Sequence, residues 1–566
     1  MIIAGIDVGN SSTEIVLVRL GRAGIEVIAA SRAMTRGVKG SLESLQAAAR
    51  LVHRTATTHQ VTITAAVVAP LQPVETSVHG ARRPPAATAP LIHIAPPATT
   101  AAGDASASGR PIAITELAGR DVESFSGGPV VAVVDGATPY HDAARAVNLA
   151  RRAGVPVTAV VVERDEAVLI ANRLEHPLPV VDQVPAALVA AADLIAVEAR
   201  PQGRPLRHVT DPYWVSRTFD LPVSAVTART LTEELRDASY AVLVRLPDGL
   251  QATGWDQPTT VEGHVRWRDG STSALLDSVA RLREAPPGVA TAISFEGGWT
   301  DADDVFAVDL AEIARDAHVR QGSLDRSYTA VSVLQKPQPT MVDAVTVLSE
   351  SLNVPVLAAV SESDVGRSGA LTTPGCPPDA VVVDLGGGTI DVSDRDRRVI
   401  LAGAGELLTQ VTARALGIPA GTAEYVKRGP AVLANGPHVL VDEKGARNFS
   451  DSPLPGDAVG ALCVPGPVGM LAFNRTLGLA EWRAWRRVAK TEIIGRNVER
   501  GLAALGGNRP SSLLVVGGAA ADDEIVAVIA GRLPPGSVVG RGDVAGSLGH
   551  RYAVAYGLAQ HGVRLL

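Results

Sequence analysis

One strand-and-turn pattern occurs twice in the sequence, and it constrains the fold more than any other feature. Near the N-terminus, an apolar strand leads to Asp7 and a glycine turn, DVGNSST (7–13). Much later, the strand VVVDL continues as DLGGGTID (384–391). Glycine permits positive φ angles and lets backbone N–H groups approach a phosphate closely. Three consecutive glycines also lose much conformational entropy on folding, which favours a functional explanation for the second turn.

The duplicated turn predicts two phosphate loops, one in each of two lobes that close on a polyphosphate. An aspartate at the end of each strand could hold Mg²⁺ or its water shell. Taken alone, the first turn is also compatible with an ordinary hairpin that has a Gly-Asn turn. The candidate phosphate-binding residues are Gly9, Asn10, Ser11, Ser12, Thr13, Asp384, Gly386, Gly387, Gly388 and Thr389.

A third glycine motif, LLVVGGAA (513–520), ends a strand near the C-terminus. Gly517 and Gly518 would leave a flat backbone surface on which an adenine or ribose could lie. Many turns between a helix and a strand contain two glycines, so this motif is weak by itself. The order of the three motifs is much more specific than any one of them.

These motifs resemble the actin/Hsp70/sugar-kinase superfamily, which has two phosphate motifs and an adenosine motif in this order. The chain resembles more closely the large subunit of diol and glycerol dehydratase reactivases, ATP-dependent factors that rescue inactivated adenosylcobalamin enzymes. The resemblance spans nearly the whole chain. The segments that carry it are AGIDVGNSSTE at the start, ERDEAVLIANRLEHPLPVVDQV (163–184), SGALTTPG (368–375), AGAGE (402–406) and GRGDVAGSLGHRYAVAYGLA (540–559).

The expected fold class is α/β: an actin/Hsp70-like two-lobed ATPase fold with an inserted swivelling α/β domain, a linking domain and a small insert. Alternating strand and helix patterns between 128 and 182 favour a parallel sheet in the swivelling domain. The expected divisions are 1–80, 206–250, 351–430 and 476–566 for the ATPase lobes, 81–205 for the swivelling domain, 251–350 for the linking domain and 431–475 for the insert.

The resemblance also implies catalytic residues. The superfamily positions a water molecule with an acid near the nucleotide, and Asp391 and either Glu362 or Asp364 are the candidates, while Asp7 would organise Mg²⁺. Surface carboxylates would look the same in the sequence as Glu362 and Asp364.

In the reactivases, acidic residues of the swivelling domain hold a divalent metal that faces the small subunit. Asp165 and Asp182 match those motif positions. A helix N-cap or a turn aspartate is the alternative for each of them. The family's threonine ligand has no convincing match in the Pro- and Ala-rich region 81–105.

Composition excludes several other classes. The 52 basic and 59 acidic residues give a net charge of −7 without a strongly basic stretch, so no nucleic-acid partner is expected. The densest basic patch, Arg483, Arg486, Arg487 and Lys490, is interpreted as the solvated face of a helix. No apolar run predicts a membrane span, and the N-terminus lacks the pattern of a signal peptide. Two cysteines cannot form a disulfide framework, so a cytoplasmic location is expected.

The function that the resemblance implies is that of a reactivating chaperone. ATP binding and hydrolysis would drive this subunit and a small partner subunit, as a hetero-oligomer, to open an inactivated diol or glycerol dehydratase and release its damaged cobalamin. A small-molecule kinase of the same fold is the main alternative. An Hsp70-like scaffolding module is a second alternative, although no β-rich peptide-binding domain follows the C-terminal helix.

Overall fold

Five β-sheets organise the described part of the chain in a computed structural model. The structure describes all residues except 22–23, 70–75, 83–90, 95–101, 118–127, 183, 202–205, 222–239, 246, 248–262, 296–297, 321–322, 336–341, 359–360, 457, 468, 507–509 and 566. Within the described residues, no helix is both long and apolar enough to cross a membrane.

The first lobe is built on a five-stranded sheet whose strands lie in the order Val356–Ala358, Ala65–Val68, Ile2–Val8, Ser12–Gly21 and Gly24–Met34. Its helices are Leu42–Thr58, Ala344–Leu352, Glu362–Ala370 and Ala553–Leu565, and Val544–Gly546 forms a 3₁₀ turn. The C-terminal helix packs directly on the first strand. Their backbones are so close that a Cβ atom added to Gly5 would lie 1.9 Å from the carbonyl oxygen of Ala555. The two ends of the chain therefore stabilise the same lobe.

The second lobe repeats this strand order. Its strands are Arg398–Ala402, Thr389–Ser393, Val381–Leu385, Ser512–Val516 and Val538–Arg541. In both lobes three consecutive antiparallel strands are followed by parallel strands added beside the first of them. The helices of this lobe are Gly405–Leu416, Ala420–Val426, Leu479–Lys490, Arg496–Ala504 and Asp523–Arg532, with a 3₁₀ turn at Gly518–Ala521.

A seven-stranded sheet has the strand order Val180–Val181, Val157–Val162, Val130–Val134, Ala105–Ala113, Leu194–Ala199, Tyr240–Arg245 and Leu91–Ile94. Its helices are Ile114–Leu117, Tyr140–Arg152, Ala167–Ala171, Ala186–Ala190 and Pro212–Phe219. The sheet continues past the expected boundary at residue 205, because Tyr240–Arg245 pairs with Leu194–Ala199 rather than with a strand of an ATPase lobe. The residues expected to return to the lobe at 206–250 therefore belong, where they are described, to this sheet.

A six-stranded sheet occupies the region expected for the linking domain. Its strands lie in the order Thr272–Ala274, His264–Trp267, Ala290–Phe295, Gly298–Asp309, Tyr328–Gln335 and Thr76–Arg82. The last strand comes from the segment expected to end the first part of the ATPase lobe. The turns and helices of this region are Leu276–Ser278, Val279–Glu284 and Leu310–Asp316. Its inner face shares one hydrophobic core with the second lobe, in which Phe306 and Val383 are both buried.

A small antiparallel sheet accounts for the expected insert. Its strands are Arg447–Phe449, Val439–Asp442, Val432–Gly436, Leu462–Gly466 and Gly469–Asn474. The insert is anchored to the second lobe because Leu462 and Val464 belong to the core of that lobe.

A π-helical turn, Thr491–Gly495, joins the helices Leu479–Lys490 and Arg496–Ala504. The expectation of a solvated basic face on this helix is wrong for two residues, because Arg486 is 1% and Lys490 0% exposed. Arg486 donates hydrogen bonds to Glu443 and Glu524, and Lys490 donates to Glu524. Lys490 also forms an ion pair with Asp522 at 2.5 Å. Glu443, Arg486, Lys490, Asp522 and Glu524 are called the buried ion-pair network below.

Candidate active site

A cleft of about 1150 Å³ is lined by residues of both lobes. Both glycine turns, the Gly517–Gly518 turn and the start of the helix Glu362–Ala370 contribute to its walls. Motifs that are far apart in the sequence therefore meet at one place. A cleft of this size can hold a ligand as large as a nucleotide.

The two glycine turns have the same internal hydrogen bond. The amide of Gly9 donates to the carbonyl oxygen of Ser12, and the amide of Gly386 donates to that of Thr389, both at 3.0 Å. Each donor is two residues after the strand's aspartate and each acceptor is five residues after it. The turns are therefore equivalent in backbone structure as well as in sequence.

The strands beside the two turns also pair in equivalent registers. Asp7 lies opposite Glu14, and Asp384 lies opposite Asp391. Each turn therefore brings two carboxylate residues together across one antiparallel pair.

The two turns contact each other across the cleft. A Cβ atom added to Gly387 would lie 2.4 Å from the hydroxyl oxygen of Ser11. The amide of Glu406, in the first turn of the helix Gly405–Leu416, donates to the carbonyl oxygen of Gly387 at 2.7 Å. The missing side chain of Gly387 thus lets the two loops approach, and the helix fixes the backbone of the second one.

The carboxylates of the two turns are difficult to ionise in the absence of a cation. Burial, together with repulsion from neighbouring carboxylates, raises the pKa of Asp384 to about 7 and that of Asp391 to about 6. Burial and the charge of Glu362 also raise the pKa of Asp7 well above its usual value, and burial raises that of Glu14. One or two carboxylates, with phosphate oxygens of a bound ligand, are the usual protein share of a Mg²⁺ site, so these acids could hold Mg²⁺ together with a polyphosphate.

Lys39 places one positive charge among these acids. Its ammonium group donates to both carboxylate oxygens of Glu362, at 3.0 and 3.2 Å, and its side chain is only 9% exposed. Glu362 begins the helix Glu362–Ala370, whose N-cap is Ser361. Although burial opposes it, the charges of Glu362 and Asp7 raise the pKa of Lys39. Lys39 therefore stays charged and holds Glu362 at the wall of the cleft.

The third motif closes the other side of the cleft. Gly517 has a φ angle of 88°, and a Cβ atom there would lie 2.3 Å from Oδ1 of Asp384. The backbone of Gly517 is fixed by two contacts with His550, whose carbonyl oxygen accepts from its amide and whose Nδ1 lies 2.7 Å from its carbonyl oxygen. The guanidinium group of Arg551 donates to the carbonyl oxygen of Gly518 at 3.3 Å.

The short helix Ala420–Val426 and the residue after it add a charged pair beside this motif. Lys427 donates to Glu424, to the hydroxyl oxygen of Thr409 and to the carbonyl oxygen of Gly405. Glu424 and Lys427 both line the cleft. The carboxylate of Glu424 could accept a hydrogen bond from a hydroxyl group of a sugar.

Two family models match the chain. The diol dehydratase reactivase ATPase-like domain matches residues 301–562, and the swivelling domain of the diol dehydratase-reactivating factor matches residues 91–250. Together the two matches cover about three quarters of the chain. The chain belongs to the diol dehydratase reactivase family. The ATPase-like domain of this family, with the three motifs at one cleft, supports nucleotide binding at this site.

Named relatives and solved structures agree with this membership. The diol dehydratase-reactivating factor large subunit of Klebsiella michiganensis is 29% identical over 98% of both chains. The propanediol dehydratase-reactivating factor large subunit of Salmonella typhimurium is also 29% identical over 98% of both chains. The fold matches a nucleotide-free diol dehydratase-reactivating factor with a TM-score of 0.69 at 24% identity, and a glycerol dehydratase reactivase with a TM-score of 0.70 at 23% identity. Both structural matches cover 100% of each chain.

Most of the predicted nucleotide-binding and catalytic residues line the cleft. They are Asp7, Gly9, Asn10, Ser11, Ser12, Glu362, Asp384, Gly386, Gly387, Gly388, Thr389, Asp391, Gly517 and Gly518. Asp364, the alternative to Glu362, is exposed and does not line it. Their positions fit the predicted site, and their individual roles stay predictions.

Thr13 differs from the other predicted phosphate-binding residues because it lies behind the loop. It is 3% exposed, and its hydroxyl group is hydrogen-bonded to that of Thr35 at 3.1 Å. Thr35 in turn donates to the carbonyl oxygen of Gly9 at 2.8 Å. Alternation along the strand turns Thr13 away from the cleft, so it supports the loop rather than lining the site.

The predicted metal ligands of the swivelling domain, Asp165 and Asp182, do not line this cleft. Asp182 is 3% exposed and accepts a hydrogen bond from the amide of Ala167, the first residue of the helix Ala167–Ala171. Asp165 lies just before the same helix and is exposed. Within the described residues, no group of three His, Cys, Asp or Glu side chains could hold a metal ion. The helix-capping alternative therefore accounts for one contact of Asp182, and the metal role stays a prediction.

Several residues that line the cleft were missed by sequence reasoning, among them Glu14, Lys39, Lys427 and Arg551. Glu14 could have been found, because it follows Asp7 at the same spacing as Asp391 follows Asp384. Lys39 and Lys427 belong to no motif, and their place in the cleft depends on the fold. Arg551 lies within a segment that carries the family resemblance, but a lone arginine there gives no signal of its role.

Proposed function

We propose that this chain is the large subunit of an ATP-dependent reactivating factor for a diol or glycerol dehydratase, and that its cleft binds and hydrolyses ATP with Mg²⁺. The observation that carries the proposal is the pair of equivalent glycine turns, each with two opposed carboxylates, facing each other in one cleft. The relatives matched over 98% of the chain are large subunits of reactivating factors, which favours this function over a small-molecule kinase.

The backbone of the two turns would bind the phosphates of the nucleotide. Glycine turns let backbone amides approach a phosphate closely, and the N-terminus of the helix Gly405–Leu416 favours negative charge beside Gly387. Lys39 would add a positive charge to the same place. Mg²⁺, when bound, would neutralise the buried carboxylates of Asp7 and Asp384 and screen the phosphates from them.

Hydrolysis requires a group that orients a water molecule toward the terminal phosphate. Asp391 and Glu362 are the proposed groups, because both carboxylates line the cleft. Lys39 holds Glu362 through two hydrogen bonds, so Asp391 is the carboxylate whose position depends less on that lysine. Thr389 donates to Asp391 at 3.2 Å and would fix its orientation.

The adenosine part of the nucleotide would bind at the third motif. The backbone of Gly517 and Gly518 offers a surface without side chains, and Glu424 could accept a hydrogen bond from a ribose hydroxyl group. A Cβ atom at Gly517 would collide with Asp384, so glycine here lets the third motif lie close to the second phosphate strand.

In this proposal, ATP binding and hydrolysis change which of two complexes this subunit favours. A small subunit would be the partner, an adenosylcobalamin-dependent dehydratase would be the client, and the damaged cobalamin would be released when the client is opened. Nucleotide can drive such an exchange only through different affinities for the two complexes. Asp165 and Asp182 would take part in a divalent-metal contact with the small subunit.

The test begins with the purified chain and Mg²⁺-ATP, measured by calorimetry and by phosphate release. Asp391→Asn should bind ADP as the parent does and release phosphate much more slowly. Asp396→Asn, an exposed carboxylate five residues away, is the matched control and should behave as the parent does. Absence of nucleotide binding at millimolar concentrations would contradict the ATPase part of the proposal.

The second part of the test uses the chain as bait in a pull-down, followed by an assay of dehydratase rescue. A small subunit and a dehydratase should be recovered, and the inactivated dehydratase should regain activity only with ATP. Phosphorylation of a metabolite without rescue of any dehydratase would support the kinase alternative instead.

A further inference from the structure

Three residues paired across neighbouring strands of the six-stranded sheet lie near the second phosphate loop. In the strand pairing, Asp304 is opposite Leu334, and Leu334 is opposite Thr76. Cross-strand partners project to the same face of a sheet, so Asp304 and Thr76 are on one face, separated by one strand. Asp304 follows a β-bulge at Ala302, and a bulge of this kind re-aims the side chains that follow it.

Asp304 contacts the strand that pairs with the phosphate loop. Its Oδ2 atom accepts from the amide of Ala402 at 2.9 Å, and Ala402 pairs with Thr389 of the loop. The next residue, Gly403, donates its amide to the carbonyl oxygen of Gly388 at 3.1 Å. A single strand therefore separates Asp304 from the glycines that would bind phosphate.

Two side chains of the helix Arg496–Ala504 complete this contact. Asn497 donates to the carbonyl oxygens of Ala402 and Gly403, at 2.5 and 2.8 Å. Arg500 forms an ion pair with Asp304 at 2.8 Å and donates to Oδ1 of Asn497. All three side chains are at most 6% exposed, so the network is fully enclosed by protein. A buried polar network of this kind fixes the backbone that it contacts, because each group would be costly to leave unpaired.

Thr76 contacts the same loop directly. A Cβ atom added to Gly388 would lie 1.9 Å from Oγ1 of Thr76 and 2.9 Å from its Cβ. Gly388 does not have a positive φ angle, so its backbone conformation would permit a side chain. The need for glycine at 388 therefore comes from the proximity of Thr76.

We propose that the six-stranded sheet positions the second phosphate loop through Asp304 and Thr76, so that nucleotide affinity depends on the placement of this sheet. Asp304, Asn497 and Thr76 act as positioning residues and do not line the cleft themselves. The inference rests on the proposed nucleotide binding. Because coupling between two sites is reciprocal, nucleotide binding also restrains the sheet.

The first experiment measures the affinity of the full chain for ADP with Mg²⁺. Asn497→Ala should weaken ADP binding roughly tenfold, within the range of coupling between linked sites. Thr76→Ala should weaken it about threefold, as expected for a residue along a coupled contact. Val331→Ala is the matched control: it truncates a buried residue of the same sheet, so it should lower the melting temperature without changing ADP affinity.

A pair of substitutions tests the direct contact. Gly388→Ala should abolish ADP binding, because its methyl group collides with Thr76. Adding Thr76→Gly should restore part of that binding, because it removes both the hydroxyl oxygen and the Cβ atom that the methyl group meets. No restoration in the double variant would contradict the contact role of Thr76.

Hydrogen exchange on the unmodified chain supplies a readout that does not depend on any variant folding. ADP with Mg²⁺ should slow exchange in the strands Gly298–Asp309 and Tyr328–Gln335. If the parent binds no ADP at all, the proposed function fails. If the parent binds ADP, but exchange in these strands is unchanged, Thr76→Ala binds ADP as tightly as the parent and Thr76→Gly restores no binding to Gly388→Ala, this inference alone fails.

Discussion

In the cleft, the pKa values of Asp384 and Asp391 are raised to about 7 and 6, whereas Glu524 of the buried ion-pair network has a pKa of about 2. All three carboxylates are partly or fully shielded from water. In the cleft, burial and repulsion between acids outweigh the charge of Lys39. In the network, burial is opposed successfully by hydrogen bonds from Arg486 and by the charge of Lys490.

This difference in the direction of the pKa shifts distinguishes the binding site in the cleft from the structural ion-pair network. The network contains two cations, Arg486 and Lys490, for its three carboxylates, and they keep the pKa of Glu524 low, although burial raises that of Asp522. In the cleft, Lys39 does not offset the burial and mutual repulsion of Asp7, Asp384 and Asp391, so a cation that arrives with a ligand would relieve them. A group of carboxylates with raised pKa values is therefore the better marker of the functional site.

The largest effect is expected from breaking the network. Arg486→Met would leave Glu443 and Glu524 without their shared guanidinium partner, and removing one partner of a buried ion pair costs about 3–5 kcal/mol. Chemical denaturation should show this loss of stability. Arg487→Met is the matched control, because Arg487 is exposed on the same helix and should change stability little. Equal stability of both variants would show that the network is not structural.

A loss of activity without a loss of stability is expected in the cleft. Asp7→Asn and Asp391→Asn should each reduce phosphate release by about a hundredfold or more, as expected for a lost catalytic carboxylate or its metal partner. Neither should destabilise the nucleotide-free chain, because each substitution removes a carboxyl group whose ionisation is opposed by burial and by neighbouring acids. A fall in melting temperature as large as that of a core truncation, with normal turnover per folded molecule, would contradict the catalytic assignment.

Glu524 and Asp384 should contribute with opposite signs to the pH dependence of stability. The folded pKa of Glu524 is below its ordinary value of 4.5, so its stabilising effect is present above pH 4.5 and is lost as the pH falls toward 2. The folded pKa of Asp384 is above its ordinary value of 3.8, so its stabilising effect is present below that value and is lost as the pH rises through about 7.

Denaturation of two variants as a function of pH checks these signs. The stability difference between the parent and Glu524→Gln should shrink as the pH falls below 4.5. Asp384→Asn should become more stable relative to the nucleotide-free parent as the pH rises from 4 to 7. The same sign for both variants would contradict the comparison.

The smallest effect is expected in the swivelling domain. Asp182→Asn keeps an acceptor for the amide of Ala167, so the fold should be retained, and Asp165→Asn changes an exposed side chain. Each should weaken binding to the small subunit by about tenfold, or roughly 1.4 kcal/mol, and leave nucleotide binding unchanged. Asp193→Asn, another exposed carboxylate of this domain, is the control. Binding as tight as that of the parent, with or without a chelator, would remove the metal role.

Sequence patterns predicted the strand, turn and strand around Asp7 and Asp384 because this structure is local. They did not predict Lys39, because its contact with Glu362 joins residues 323 positions apart. The boundary at residue 205 failed for a related reason: the strand Tyr240–Arg245 has the composition of any buried strand, and its sheet is decided by pairing with Leu194–Ala199.

The basic patch on the helix Leu479–Lys490 shows a second limit of sequence reasoning. Charged residues at helical spacing usually indicate a solvated face, and Arg487 is exposed as expected. Arg486 and Lys490 are buried because Glu443 of the insert and Glu524 of another helix reach them. Nothing within the helix sequence indicates that acidic partners come from those distant segments.

The π-helical turn Thr491–Gly495 sets the rotational phase between two halves of one long helix. Before it, Lys490 faces the ion-pair network, and after it, Asn497 faces the backbone of Ala402. Each residue of an α-helix turns the chain by about 100°, so loss of one residue from this turn would swing Asn497 away from Ala402 while Lys490 kept its partners. The length of this segment is consequently under stricter constraint than its composition: substitutions can be absorbed there, but insertions and deletions cannot.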